Sequence, residues 1–98
     1  MSEPAGPKRT DSPGFTVKIS DEVHRGVYAN RVIIAHSGEE FVLDFVADLP
    51  PGPAIVARVI TAPAHAAALL EALDENIRRY QQQHGPIRRP GPSPAANA

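Results

Sequence analysis

The sequence predicts an α+β domain: a four-stranded antiparallel β-meander followed by one C-terminal amphipathic α-helix. Three observations carry this. Four short runs between Phe15 and Thr61 are alternating or β-branched. Residues that favour turns separate them. After Thr61 the apolar period changes from two to that of a helix.

Phe15 to Ile19 alternates apolar and polar, the pattern of a half-buried strand. Ser20 to Gly26 is a polar connection. Val27 to His36 contains Val32-Ile33-Ile34 and reads as the second strand. Ser37-Gly38 then suits a two-residue hairpin turn, because glycine adopts positive φ freely. Glu40 to Ala47 is the third strand. The proline-rich segment 48–53 is read as a loop, since proline gives a ladder no N–H. Ile55 to Thr61 is the fourth strand. In the helix, Ala66, Leu69, Leu70, Leu73, Ile77 and Tyr80 share one face. Thr61 stands near its start as a cap, Pro63 suits the first turn, and Gly85-Pro86 stops it. Asp74–Arg78 and Glu75–Arg79 form i,i+4 pairs in the favourable order.

The ends differ from this middle. Residues 1–14 and 85–98 are rich in proline and glycine and have no apolar period. Such segments bury too little surface to offset the entropy of ordering them, so both are read as disordered tails. The single domain is then residues 15–84. At about 70 residues its core is thin, and domains of that size often need a staple or a partner.

Composition excludes several functions. The chain has 98 residues and no cysteine, which removes disulfides, thiol nucleophiles and zinc–thiolate sites. No secretory signal and no membrane-length apolar run is visible, so the protein is expected to be cytoplasmic. The formal charge is −1. The middle is acidic and the tails are basic, through Lys8, Arg9, Arg88 and Arg89. Solubilising tails are the simplest reading of so few charges. Nucleic acid is a poor fit, since the domain lacks a basic stripe with stacking aromatics. His24, His36, His65 and His84 have no metal-ligand spacing. Glu39-Glu40 follows the turn and reads as a solvated end. No nucleophile elbow or phosphate loop occurs, so no catalytic, metal or cofactor residue is assigned and the chain is read as a non-enzyme.

The turns set a provisional register. A Ser37-Gly38 tip puts Ile34 opposite Phe41, Val32 opposite Leu43, Asn30 opposite Phe45 and Arg31 opposite Asp44. A loop centred on Pro51 puts Leu43 opposite Val59, Asp44 opposite Arg58, Val42 opposite Ile60 and Val46 opposite Val56. One face then holds Val32, Ile34, Phe41, Leu43, Phe45, Val59, Tyr28 and Asn30, and the helix is expected to cover it. The opposite face holds Ile33, Val42, Ile60, Ala29, Val46 and Val56, crossed by the row Arg31–Asp44–Arg58. A single helix covers one side only, so this second apolar face is expected to be an interface, with a second copy of the chain as its simplest cover. The charged row is either a buried triad that fixes register or an anion site built on two arginines.

Several strings together resemble a known family. They are Gly26-Val27-Tyr28-Ala29-Asn30, Glu40-Phe41-Val42-Leu43-Asp44-Phe45, Arg58-Val59-Ile60-Thr61-Ala62-Pro63-Ala64-His65-Ala66, and Asn76-Ile77 through Tyr80 to Gly85-Pro86-Ile87. In this order they resemble the uncharacterised bacterial family called domain of unknown function 3467, over residues 26–87. The resemblance implies a small bacterial protein and brings no activity, cofactor or catalytic residue. Its motif includes Tyr28, Asn30, Asp44, Arg58 and Pro63. Similar sequences would carry Lys or Arg near Ala67 or Ala68. The predicted topology is also similar to the export chaperone SecB, which assembles as dimers of dimers, but none of that family's sequence motifs is present.

These readings converge on a homo-oligomeric protein-interaction or scaffold module. A SecB-like holder of unfolded polypeptide is the alternative from another class. A nucleic-acid-associated protein acting through basic tails is a third.

Overall fold

The structure is a computed structural model and describes residues 8–12 and 15–91. Its elements run β1 (Lys8–Ser12), β2 (Phe15–Ile19), α1 (Asp21–Arg25), β3 (Arg31–His36), β4 (Phe41–Leu49), β5 (Gly52–Thr61) and α2 (Pro63–His84). The α+β class holds, with an antiparallel sheet followed by a C-terminal helix. The sheet has three strands in the order β3-β4-β5. The first predicted strand is not its fourth member. It pairs instead with β1, in a separate two-stranded sheet that joins Lys8 to Ile19 and Ser12 to Phe15. Strand pairing therefore crosses the domain boundary expected at residue 15. Residues 1–7, 13–14 and 92–98 of the predicted tails lie outside the described residues, and residues 85–91 form neither helix nor strand.

The segment expected to be a polar connection contains α1. Ser20 caps it, its hydroxyl accepting from the Val23 N–H at 3.2 Å, and Asp21 and Glu22 complement the helix start. Gly26, at φ 74°, ends it. Residues 27–30 follow without joining β3, so Tyr28 stands off the sheet and exposed. Asn30 sits at the edge of the pairing. Its N–H donates to the Val46 carbonyl, its side-chain oxygen accepts from the Asp48 N–H at 2.8 Å, and its amide nitrogen donates to the Asp48 carbonyl at 3.3 Å. One side chain thus extends the ladder beyond the last strand residue.

The β3–β4 register differs from the predicted one by two residues. Ile34 faces Leu43, Val32 faces Phe45, Ile33 faces Asp44 and Arg31 faces Val46. The reason is the turn. His36 pairs with Phe41 and the Ser37 N–H donates to the Glu40 carbonyl at 2.9 Å, so the tip is Gly38-Glu39, and the Ser37 hydroxyl accepts from the N–H groups of Glu39 and Glu40. Gly38 does not take positive φ, so the two-residue primed turn is not formed. A shift of two keeps every side chain on its predicted face, whereas a shift of one would have exchanged the faces.

The β4–β5 register matches the predicted one from Phe41–Thr61 to Phe45–Ala57, including Asp44–Arg58 and Leu43–Val59. Beyond Phe45 a β-bulge intervenes, so Ile55, not Val56, faces Val46. The expected loop is shorter than its prolines suggested. β4 runs to Leu49 and β5 starts at Gly52, with Pro53 opposite Asp48. β5 is an edge strand, where a residue without an N–H is tolerated.

α2 begins immediately after the sheet. Thr61 is the last residue of β5, not a cap. Ala62 takes the N-cap position without a side-chain bond, and Pro63 occupies the first turn. Gly85, at φ 90°, closes the other end with its N–H on the Gln81 carbonyl. Both predicted ion pairs form, Asp74–Arg78 at 3.0 Å and Glu75–Arg79 at 2.6 Å.

Candidate interaction surface

Among the described residues, only Leu43, Asp44 and Val46 are buried. All three belong to β4, the central strand. Two apolar side chains do not make a domain core, and the apolar surface that should supply the rest is open. The site is therefore best described as the two faces of the sheet and the stripe of α2.

The first face presents Val32, Ile34, Phe41, Leu43 and Phe45, placed on one side by the two-residue period of strands. Opposite them stand Ala66, Leu69, Leu70 and Leu73, one stripe of α2 at i, i+3, i+4 and i+7. The helix does not close onto this face. Between them lies a groove of about 480 Å³ with an almost wholly apolar lining. No residue of α2 is buried, and Leu70 is 69% exposed. The expectation that α2 covers the first face is thus corrected. Two features account for the gap. A single residue, Ala62, links β5 to α2, so the end of the strand fixes where the helix departs. The 22-residue helix is also about 33 Å long, against about 20 Å for the 6-residue β3. Ile77 and Tyr80 continue the stripe past the groove and remain exposed, with the Tyr80 ring 4.8 Å from that of His84. His36 and Phe41 stack at 5.3 Å beside the turn.

The second face is less open than predicted. Val46 is buried and Ile33 and Val42 are half-buried, while Ala29, predicted on this face, precedes β3. The face is most open along β5, where Ile60 is 57% and Ile55 is 54% exposed, and Ala35 on β3 is exposed as well. The charged row resolves into separate pairs. Arg58 grips Asp44 with two parallel bonds, Nε to Oδ1 at 2.7 Å and NH2 to Oδ2 at 2.9 Å. The two-residue register shift carries Arg31 away from Asp44, and its Nε meets Asp48 Oδ2 at 2.8 Å. Two arginines flanking one carboxylate, the geometry an anion site needed, are therefore not assembled. The bond from Arg58 lowers the Asp44 pKa against the opposing effect of burial, and the same bond raises that of Arg58.

Sequence reasoning placed Asn30, Asp44, Arg58, Ile33, Val42, Ile60 and Val46 on the correct side of the sheet or at its edge. It missed Asp48, which partners both Arg31 and Asn30. The signal was available, since Asp48 lies four residues beyond Asp44 and so on the same strand face. It also missed Ile55, because nothing in the chain advertises the bulge. Among the described residues, no three His, Asp or Glu side chains gather as a metal site. No helix among them is long and apolar enough to cross a membrane.

The model of the family described as a protein of unknown function (DUF3467) matches residues 1–89. The chain belongs to this family. The match is wider than the resemblance over residues 26–87 and takes in both β1 and β2. No curated protein and no solved structure matches the chain. The likeness to SecB, an antiparallel meander followed by a helix, finds no support in these matches.

Proposed function

We propose that this member of the family is a homo-oligomeric protein-interaction module whose open apolar surfaces are covered by a second copy of itself. The observation that carries this is the unfilled groove between the first sheet face and the stripe of α2. A helix with no buried residue gains little from packing within its own chain, and a chain of this size cannot spare that contribution. The cover is needed whenever the protein is folded, so it must be present whenever the chain is. A copy of the same chain meets that condition, and its own leucine stripe has the chemistry the groove accepts. The absence of cysteine suits a reducing compartment such as a bacterial cytoplasm.

Light scattering of the full chain over a concentration series tests the reading. A stable dimer or tetramer is expected. A monomer at every concentration would overturn it and assign the groove to an apolar segment of a different protein.

A further inference from the structure

We infer that the exposed edge of β5 pairs antiparallel with β5 of a second copy around a two-fold axis at Val59, joining two three-stranded sheets into one of six strands. This rests on the proposed self-association and adds a second contact to it, distinct from the one that covers the groove.

The three-stranded sheet has two edges, β3 and β5, and they differ. β3 has six residues, and Arg31 to Ile34 are half-buried. β5 has ten residues, pairs among the described residues with β4 alone, and is exposed at all but Ala57 and Thr61. Open edges are commonly guarded by proline, bulges or charge. In β5 the guards occupy one end only, with Pro53 near the start and the bulge at Val56. From Ala57 to Thr61 there is no proline and no bulge. The single charge in that run, Arg58, is already bonded by the Asp44 carboxylate. Two copies therefore bring no uncompensated like charges together.

The register follows from symmetry. The unguarded run, Ala57 to Thr61, is centred on Val59. Antiparallel pairing about that residue sets Val59 against its counterpart, Arg58 against Ile60, and Ala57 against Thr61. In each copy Ile34, Leu43 and Val59 already form a row across the first face. Pairing at Val59 joins the two rows end to end, so the floors of both grooves become one apolar surface. The contact is isologous and closes at two copies through this edge.

The chain has no cysteine, so single substitutions report proximity without background. Cysteine is placed in the full chain at Arg58, Val59 or Ile60 on β5, Ala35 on β3, and Leu70 on α2, followed by mild oxidation. Paired residues on antiparallel strands have Cα atoms about 4.5–5.5 Å apart, within reach of a disulfide. V59C is expected to give a covalent dimer in the highest yield, with less on either side and least at Ala35. Hydrogen exchange of the unsubstituted protein is expected to show continuous protection from Ala57 to Thr61, where an open edge would protect alternate amides only. A protein that is oligomeric by mass, yet links best through Ala35 or Leu70 or nowhere along β5, would overturn the edge pairing and leave self-association standing. A monomer by mass would overturn both.

Discussion

Asp44 is buried on the central strand and accepts both of its close hydrogen bonds from one guanidinium. The Arg58 bond holds the Asp44 carboxyl below the ordinary carboxylate range. A carboxylate whose pKa is depressed by folding stabilises the fold above the unfolded-state value of about 4, and that contribution is lost as pH falls through the lower folded-state value. Asp44→Asn should therefore unfold at a lower temperature than the parent at pH 7, and the difference should shrink as pH falls below about 4. Melting curves for both proteins from pH 7 to pH 2.5 check this, and a gap independent of pH would contradict it. The Asp44–Arg58 pairing was legible in the sequence because a strand register matches side chains two by two. The partner of Arg31 was misassigned because it hung on the chemistry of one turn. The Ser37 hydroxyl captures the N–H groups of Glu39 and Glu40 while the Ser37 N–H bonds the Glu40 carbonyl, which moves the tip from Ser37-Gly38 to Gly38-Glu39.

α2 was the most legible element, since a 3.6-residue period, a first-turn proline and a terminal glycine are all written locally. Where it packs was not legible, because that depends on the single-residue link to β5 and on the length of the strands beneath it. Its leucine stripe allows the two situations to be told apart. On an isolated surface helix, changing an exposed leucine moves stability by no more than about 0.5 kcal/mol. At an interface, each buried leucine contributes about 1.5–3 kcal/mol, which weakens association by roughly 10–100-fold when it is lost. Leu70→Lys is therefore expected to shift the full chain toward monomer by at least about tenfold in dissociation constant. Sedimentation or light scattering across concentrations reads this directly. An unchanged association constant would mean that α2 faces solvent in the assembled protein. β5 taught the opposite lesson. Its prolines suggested a loop, yet the strand begins at Gly52, because an edge tolerates missing donors that a central strand does not.

The described residues form a well-paired sheet and a long helix with almost no core of their own. Local signals specify the three strands of the larger sheet and α2, though not β1 or α1, and binary patterning specifies which side of each is apolar. Neither specifies whether those sides meet within one chain or between two, and for that reason the predicted cover of the first face was assigned to α2 while the groove stands open. If a second copy supplies the missing core, folding and association are one equilibrium, and stability depends on protein concentration. For a dimer without a folded monomer, each tenfold dilution removes about 1.4 kcal/mol per dimer. Shared between two chains of this size, that lowers the melting temperature by about 3–6 °C. Calorimetry or circular dichroism over a hundredfold range of concentration should show this drift, with the low-concentration samples melting first. A melting temperature that stays constant over that range would mean that each chain folds alone, and the groove would then be a surface that a folded monomer keeps open for another protein.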